Sequence, residues 1–182
     1  MVNISKPELT NLQQGILELL FKRSGTGLNQ NQIARLLKVS PPAVMKSLPS
    51  LEKLEFIKIQ KNKETKRWAI SLNTNNRKVV QLKRVNNLKQ IYETGLADFL
   101  EKEFAGATII LFGSYSRGED IFSSDIDIAI IGRKEKNIDL KKFEDLLERK
   151  ININFYSSFK DIHKNLKENL ANGIILTGGF EL

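Results

Sequence analysis

The 182-residue sequence lacks several residue types that functional sites often require. It contains no cysteine, which excludes disulfides, thiolate nucleophiles and zinc–thiolate sites. Its single histidine, His163, excludes a metal site built from several histidines, and we expect a surface or packing role for it. No apolar run reaches the ~18 residues that a membrane-spanning helix requires. Because residues 1–6 also lack the apolar core of a secretory signal, we expect a cytoplasmic protein with no membrane segment.

Positive charge is concentrated in the first half of the chain. The net charge is +8, yet residues 1–80 alone, with fourteen Lys or Arg and five Glu, carry +9. The remaining residues, with fifteen basic and sixteen acidic side chains, carry −1. Such asymmetry indicates nucleic-acid contact at one end of the molecule. A lysine-rich solvated surface is the alternative interpretation.

Apolar residues in the first half recur at helical spacing in three segments. We expect the first helix over residues 7–22, the second to follow Asn29 as its cap, and the third to begin at Ser40. Pro49 lies within the third helix and removes a hydrogen bond, so we expect a kink or an early stop there. The predicted buried faces are Leu9, Leu12, Ile16, Leu19 and Leu20; Ile33, Leu36 and Leu37; and Val44, Leu48, Leu51 and Leu54.

Two strand-like runs, residues 56–59 and 68–72, follow the helices and enclose a polar, basic segment. Three helices and such a hairpin resemble a MarR-like winged helix-turn-helix domain, and residues 32–40 and 51–57 resemble that family's sequence pattern. The resemblance implies that the third helix enters the major groove of DNA and that the wing contacts the backbone. The residues at these positions are Lys46, Ser47, Lys61, Lys63, Lys66 and Arg67. A winged helix used for protein contacts or dimerisation is the alternative.

A further helix is predicted over residues 78–104, after a polar break at 73–76. Gly95 interrupts it, at a cost of about 1 kcal/mol relative to alanine. This helix would link two domains or support a homodimer. Its predicted buried stripe consists of Val85, Leu88, Tyr92, Leu96, Phe99 and Leu100. We assign residues 1–75 to the winged helix, 76–104 to the linking helix and 105–182 to a second domain.

The second domain begins with an apolar run at residues 107–112 that is typical of a buried strand. The run ends in Gly113-Ser114, where a glycine allows a sharp turn and where hydroxyl and N–H groups can bind phosphate oxygens. A second strand places Asp125 and Asp127 on one face, because side chains alternate along a strand. Two carboxylates about 7 Å apart along the strand can share Mg²⁺. Magnesium would neutralise a triphosphate and activate the attacking oxygen.

Gly113-Ser114, ten intervening residues and Asp125-Ile126-Asp127 resemble the signature of the polymerase-beta-type nucleotidyltransferases, and most of all the minimal nucleotidyltransferases. The resemblance covers roughly residues 107–178. It implies an α/β (α+β) chain, in which a mixed sheet flanked by helices follows the winged helix. It also implies that Gly113, Ser114 and Arg117 contact the nucleotide, and that Asp125 and Asp127 are the catalytic, magnesium-binding carboxylates. An edge strand with a polar face is the alternative.

The third carboxylate of that family has no counterpart in the matching strand. Asn152 stands where the acid is expected, and Asn154 lies on the same strand face. An amide can offer oxygen to a cation but supplies neither negative charge nor a general base. We therefore expect the chemical step to be weakened or lost.

Two functions remain open at this point. The resemblance implies transfer of a nucleoside monophosphate from a triphosphate, with ATP as the expected nucleotide, to a hydroxyl group. Because minimal nucleotidyltransferase antitoxins modify HEPN-type toxins, a partner protein in a toxin–antitoxin pair is the expected acceptor. The other function is transcription regulation, in which the second domain senses nucleotide without turnover and alters DNA affinity. An adaptor that makes only protein contacts would leave the basic wing unexplained.

Overall fold

The computed structural model describes residues 9–61 and 68–179. The chain divides into two compact units, residues 1–79 and 80–182, which are described separately below. Within the described ranges, no helix combines the length and the apolar character needed to cross a membrane.

The first unit is built from helices followed by an antiparallel hairpin. Its elements are α1 (Asn11–Lys22), α2 (Gln30–Leu37), α3 (Pro41–Lys53), β1 (Ile57–Lys61) and β2 (Trp68–Leu72). Leu28 forms an isolated antiparallel bridge with Ile70 and so pairs with the hairpin next to β2. This order of elements is that of a winged helix, and the predicted fold is confirmed.

Side-chain caps explain where these helices begin. The hydroxyl of Thr10 caps α1, and the amide oxygen of Asn29 accepts hydrogen bonds from two N–H groups at the start of α2. Ser40 caps α3, and Pro41 occupies the first helical position, where no intrahelical donor is needed. The cap predicted at Asn29 and the helix start predicted at Ser40 are confirmed.

The structure corrects two local expectations for this unit. Of the kink or early stop expected at Pro49, the early stop does not occur, because the third helix continues to Lys53. Pro49 is exposed, so water can bond the carbonyl that has lost its intrahelical donor. Leu36 was expected in the core and is 43% exposed, because only Ile33 and Ala34 of α2 turn fully inward. The core is otherwise formed by Ile16, Leu17, Leu20, Phe21, Ile33, Val44, Leu48, Leu51, Phe56, Ile57 and Ile70.

The second unit contains a mixed four-stranded sheet with helices. Its strands are β3 (Thr108–Phe112), β4 (Ile126–Ile131), β5 (Ile151–Tyr156) and β6 (Ile174–Thr177), in the spatial order β5-β4-β3-β6. Only the β4–β5 pair is parallel. The helices are α4 (Arg77–Glu93, of which this unit includes the part from Val80), α5 (Leu96–Glu103), α6 (Gly113–Arg117), α7 (Lys141–Leu147), a 3-10 turn (Phe159–Asp161) and α8 (Lys164–Ala171). The predicted mixed sheet with flanking helices is confirmed.

The segment expected to form one helix over residues 78–104 forms two, α4 and α5. Gly95 lies between them with φ +76°, a left-handed conformation that favours glycine. The break changes the direction of the chain, so one continuous helical stripe cannot describe both parts. Leu96 and Leu100 are buried as expected.

The predicted apolar stripe is wrong at two of its three positions in α4, whereas Leu88 packs against the core as expected. Val85 is 66% exposed and Tyr92 48% exposed. Within the part of α4 that belongs to the second unit, the buried positions are instead Lys83, Asn87 and Ile91, spaced four residues apart. Two of these three are polar, so a pattern of apolar residues could not reveal the buried face.

Candidate active site

The two aspartates lie side by side at one end of the central strands. In the sheet register, Asp127 of β4 pairs with Phe112 of β3 on one side and with Asn152 of β5 on the other. Asp125 directly precedes β4, two residues before Asp127, so both carboxylates face the same way. The strand pairing therefore brings together the three positions that the sequence singled out.

The side-chain amide of Asn152 joins the two carboxylates. Its Nδ2 atom donates to Oδ2 of Asp125 at 3.1 Å and to Oδ1 of Asp127 at 3.4 Å. Both carboxylates thus converge on one point, and Asn152 lies beside both of them. Rotation of the amide by half a turn would present its oxygen to that point in place of the nitrogen.

Gly113 packs directly against the carboxylate of Asp127. Its φ is +75°, and a Cβ atom at this position would lie 2.5 Å from Oδ2 of Asp127, so only glycine fits. Gly113 begins α6, whose N-terminus has no side-chain cap, and the Ser116 hydroxyl donates to the Gly113 carbonyl at 2.9 Å. The turn is therefore fixed, with its N–H groups beside the carboxylates, an arrangement suited to phosphate oxygens next to a bound cation.

The other two predicted nucleotide contacts lie on the same short helix. Ser114 is half-buried in the first turn of α6. Arg117 ends α6, and its Nε donates to Oε2 of Glu119 at 2.7 Å in a largely exposed pair. A phosphate contact by Arg117 would compete with Glu119, at low cost because exposed ion pairs are weak.

The donor set of this site fits one divalent cation with oxygen ligands. Asp125 and Asp127 supply two carboxylates, Asn152 can supply an amide oxygen, and water and phosphate oxygens would complete the coordination of such a cation. Among the described residues, no group of three or more His, Cys, Asp or Glu side chains is placed to hold a metal. Charge at the site therefore comes from two carboxylates.

A family comparison decides which kind of domain carries this site. Residues 94–177 match the family model of the nucleotidyltransferase domain. The match includes Gly113, Ser114, both aspartates and Asn152, and it confirms the resemblance inferred from the sequence. It covers a little under half of the chain, and among curated proteins none matches the chain.

Solved structures of winged-helix transcription regulators are similar to the N-terminal part of the chain. Staphylococcus aureus MepR in complex with DNA is 28% identical, with a TM-score of 0.39, over 52% of this chain and 77% of that chain. Lactococcus lactis ZitR is 27% identical, with a TM-score of 0.41, over 56% of this chain and 66% of that chain. At these scores, the elements and register of the first unit, rather than the similarity, establish its winged-helix fold.

The predicted DNA-contacting residues lie on different parts of the winged helix. Lys46 is exposed on α3, whereas Ser47 is half-buried and its hydroxyl donates to the Ala43 carbonyl at 3.0 Å. Lys61 is exposed at the end of β1, and its Nζ lies 6.0 Å from the centre of the exposed Trp68 ring. The other predicted residues, Lys63, Lys66 and Arg67, lie outside the described residues.

A buried polar cluster centred on Asp120, which lies between Gly113 and Asp125, was missed by the sequence interpretation. It consists of Lys83, Asn87, Asp120 and Arg149, each at most 6% exposed, and is called the Asp120 cluster below. Lys83 Nζ forms an ion pair with Asp120 and also donates to the Asp120 carbonyl at 2.6 Å. Asn87 Nδ2 donates to Oδ1 of Asp120 at 2.7 Å, and an Arg149 Nη lies 3.3 Å from Oδ2.

Burial changes the acid–base properties of the cluster and of its neighbour Tyr115. Burial lowers the pKa of the Lys83 ammonium, and the nearby Asp120 carboxylate opposes that effect. Burial also raises the pKa of the Tyr115 phenol far above its ordinary value, and the charge of Asp120 adds to the effect. The four-residue spacing of Lys83, Asn87 and Ile91 was the one sequence signal of the buried face of α4. Because Lys83 and Asn87 are polar, a search for apolar periodicity does not detect it.

Proposed function

We propose that the nucleotidyltransferase domain binds a magnesium–nucleoside triphosphate, with ATP as the expected nucleotide, and transfers the nucleoside monophosphate to a hydroxyl group. The observation that carries this proposal is the convergence of Asp125 and Asp127 beside the Gly113 turn. A new ester bond forms between the acceptor oxygen and the α-phosphorus, the bond to the β-phosphate breaks, and pyrophosphate leaves. Bound magnesium would supply positive charge that neutralises the phosphates.

The roles of the protein's own residues follow from their positions. Asp125 and Asp127 would hold the cation, and the N–H groups and hydroxyl at Gly113 and Ser114 would orient the phosphates. Arg117 would contact a phosphate after release from Glu119. The acceptor hydroxyl must also lose its proton, which would pass to water because Asn152 is an amide and not a base. We therefore expect slow transfer.

We further propose that the winged helix binds DNA and that the acceptor is a partner protein, such as a HEPN-type toxin. DNA binding is supported by the charge of +9 on residues 1–80 and by the exposed Lys46 and Lys61. The toxin partner is supported by the resemblance to minimal nucleotidyltransferase antitoxins alone. A homodimer would present two winged helices to two DNA half-sites. Because its proposed ligands are DNA and ATP, we propose that the protein is cytoplasmic.

A second candidate function is favoured by Asn152. With two carboxylates and one amide, the site would bind a magnesium–nucleotide complex without turning it over. The chain would then be a DNA-binding transcriptional regulator that senses nucleotide. The nucleotide would change DNA affinity only by binding two conformations of the protein unequally.

One transfer assay distinguishes the two functions. The full chain is incubated with MgCl₂, ATP labelled on the α-phosphate, and candidate acceptor proteins. The transferase predicts labelled acceptor with the wild type, none with Asp127→Ala, and unchanged labelling with Asp145→Ala. Asp145 is an exposed carboxylate paired with Lys141 on α7, and it serves as the matched control.

The other outcomes of that assay are equally informative. ATP binding that Asp127→Ala abolishes, without any label transfer, would favour the nucleotide sensor. Wild-type protein that binds no magnesium–ATP would refute both functions. Equal labelling with wild type and Asp127→Ala would place the chemistry elsewhere.

A further inference from the structure

The Asp120 cluster is hydrogen-bonded to the segments that carry the candidate active site. Asp120 belongs to the loop between α6 and β4, five residues before Asp125. Arg149 lies two residues before the start of β5 and three residues before Asn152. A single buried carboxylate, accepting from Lys83, Asn87 and Arg149, therefore joins α4 to the loop before one site residue and to the start of the strand that bears another.

Further hydrogen bonds from the same cluster reach the rest of the loop and α6. Asn87 Nδ2 also donates to the Tyr115 carbonyl at 2.9 Å, inside the short helix that begins at Gly113. An Arg149 Nη donates to the Phe122 carbonyl, three residues before Asp125. The α6 turn, the loop to β4 and the start of β5 are thus bonded to one set of side chains.

Close backbone packing reinforces these bonds at Gly118. Its φ is +73°, and a Cβ atom there would lie 2.5 Å from the Val80 carbonyl oxygen and 2.7 Å from the Arg84 nitrogen. The beginning of the loop is therefore in direct contact with the backbone of α4. Lys83 Nζ also lies 3.4 Å from the Gly118 carbonyl. The loop has little freedom to shift against this helix.

The burial of these charges is not explained by stability. Removing an ammonium, a guanidinium and a carboxylate from water carries a large desolvation cost, and apolar side chains of similar volume often give equal or greater stability. What the buried charges add is directional bonding, because each hydrogen bond fixes one segment in position and angle. The three segments fixed in this way are α6, the loop to β4 and the start of β5. They contain or directly adjoin Gly113, Asp125 and Asn152.

We propose that the Asp120 cluster positions the active site. Lys83, Asn87, Asp120 and Arg149 are positioning residues that hold Asp125, Asn152 and the Gly113 turn at the spacing that one cation–nucleotide complex requires. The inference rests on the proposed function, because it assumes that this site binds such a complex. It adds a role for residues that contact neither the cation nor the nucleotide.

The test compares two alanine substitutions on the same buried face of α4. Asn87→Ala removes two bonds of the cluster, whereas Ile91→Ala, one turn later, removes apolar packing only. Binding of Mn²⁺–ATP to the full-length protein is measured by isothermal titration calorimetry with the preformed Mn²⁺–ATP complex as titrant, at a temperature where circular dichroism shows each protein folded. We expect the Kd to rise at least tenfold for Asn87→Ala and to stay within twofold of the wild type for Ile91→Ala, although both should lower the melting temperature.

Each other result is decisive. Asn87→Ala that binds within twofold of the wild type, or two variants that weaken binding equally, would overturn the positioning role. If Asn87→Ala does not fold, Arg149→Lys decides in the same way, because lysine keeps the charge but cannot reach both the Phe122 carbonyl and Asp120 as the forked guanidinium does. Wild-type protein that binds no Mn²⁺–ATP would refute the proposed function and this inference together. If the wild type binds Mn²⁺–ATP and the cluster variants bind it equally well, only the positioning role of the Asp120 cluster would be refuted.

Discussion

Under the proposed function, Asn152 is the residue that we expect to limit the chemical step. Its amide donates to both aspartates and so occupies the point on which the two carboxylates converge. To ligate a cation it must rotate and exchange those two hydrogen bonds for one oxygen ligand. A carboxylate at the same position would add charge and a base without that rotation, but it would repel the two aspartates when no cation is bound.

Asn152→Asp should therefore have opposite effects with and without metal. We expect a lower melting temperature without cation, a Kd for Mn²⁺ at least tenfold lower than that of the wild type, and increased label transfer in the assay described above. Thermal unfolding with and without MnCl₂ provides the measurement. Asn169→Asp, an exposed change on α8, is the control. It should leave the melting temperature, the Kd for Mn²⁺ and the label transfer unchanged. Unchanged Mn²⁺ affinity in Asn152→Asp would argue against the assignment of the third position.

The buried Tyr115 should make the unfolding free energy of the protein fall at alkaline pH. Its pKa is raised by burial, so the unfolded chain loses this phenolic proton first, near pH 10. The stability that arises from the raised pKa of Tyr115 is fully present below pH 10. It is lost as the pH rises toward the folded-state pKa, at about 1.4 kcal/mol per pH unit. We expect the unfolding free energy of the wild type, relative to Tyr115→Phe, to fall between pH 10 and pH 11 in urea titrations. A difference that is constant over this range would contradict the burial effect.

At the scale of the elements, α3 contains a proline whose cost can be measured. The helix passes through Pro49 without the hydrogen bond that another residue would donate there. The first turn also contains Pro42, but donors at that position have no intrahelical partner. The two exposed prolines therefore differ in helical position alone.

Pro49→Ala should stabilise the winged helix. Alanine is about 3 kcal/mol better than proline inside a helix, and the greater freedom of the unfolded chain offsets up to about 1 kcal/mol of that gain. We expect the unfolding free energy to rise by about 2 kcal/mol for Pro49→Ala and to stay the same or fall slightly for Pro42→Ala. Chemical denaturation of both variants provides the check, and equal effects would show that the helix interior is not strained at Pro49.

The elements differ in how far the sequence could predict them. Asn29 and Ser40 cap helices because a short polar side chain bonds to N–H groups only a few residues away, which is a local property. The buried face of α4 is not local. Lys83 and Asn87 are inside because Asp120, more than thirty residues later, bonds to both of them. No periodicity on α4 contains that information.

At the scale of the whole molecule, the charge distribution predicts how DNA binding should respond to salt. Each phosphate contact made by a lysine or arginine releases counterions and steepens the salt dependence of the affinity. Lys46 and Lys61 are exposed on the winged helix. Lys134 and Lys142 are exposed in the second unit, whose sequence carries almost no net charge.

Neutralising the winged-helix lysines should flatten the salt dependence. We expect Lys46→Ala and Lys61→Ala, and likewise Lys63→Ala, Lys66→Ala and Arg67→Ala, each to weaken DNA binding. Each substitution that removes one lysine–phosphate or arginine–phosphate interaction should reduce the slope of log K against log salt by about 0.9. Fluorescence anisotropy between 50 and 200 mM KCl measures the slope, with Lys134→Ala as the control. Binding that ignores both salt and these substitutions would refute the DNA-binding role.

The sequence by itself determined the features of this protein that depend on neighbouring residues. These are the helix caps, the alternation that places Asp125 and Asp127 on one face, and the glycine needed at Gly113. The spacing between the Gly113 turn and Asp125-Ile126-Asp127 was enough to predict the nucleotidyltransferase domain. Such features need only the backbone geometry of a few consecutive residues.

The tertiary structure alone decided how the distant parts combine. It brought Asn152 within hydrogen-bonding distance of both aspartates, and it buried Lys83, Asn87 and Arg149 around Asp120. These contacts join residues about 25 to 37 positions apart, so they arise only when the strands pair and α4 packs against the loop. A buried charge is tolerated where its partners converge in space, and a linear sequence does not record that convergence.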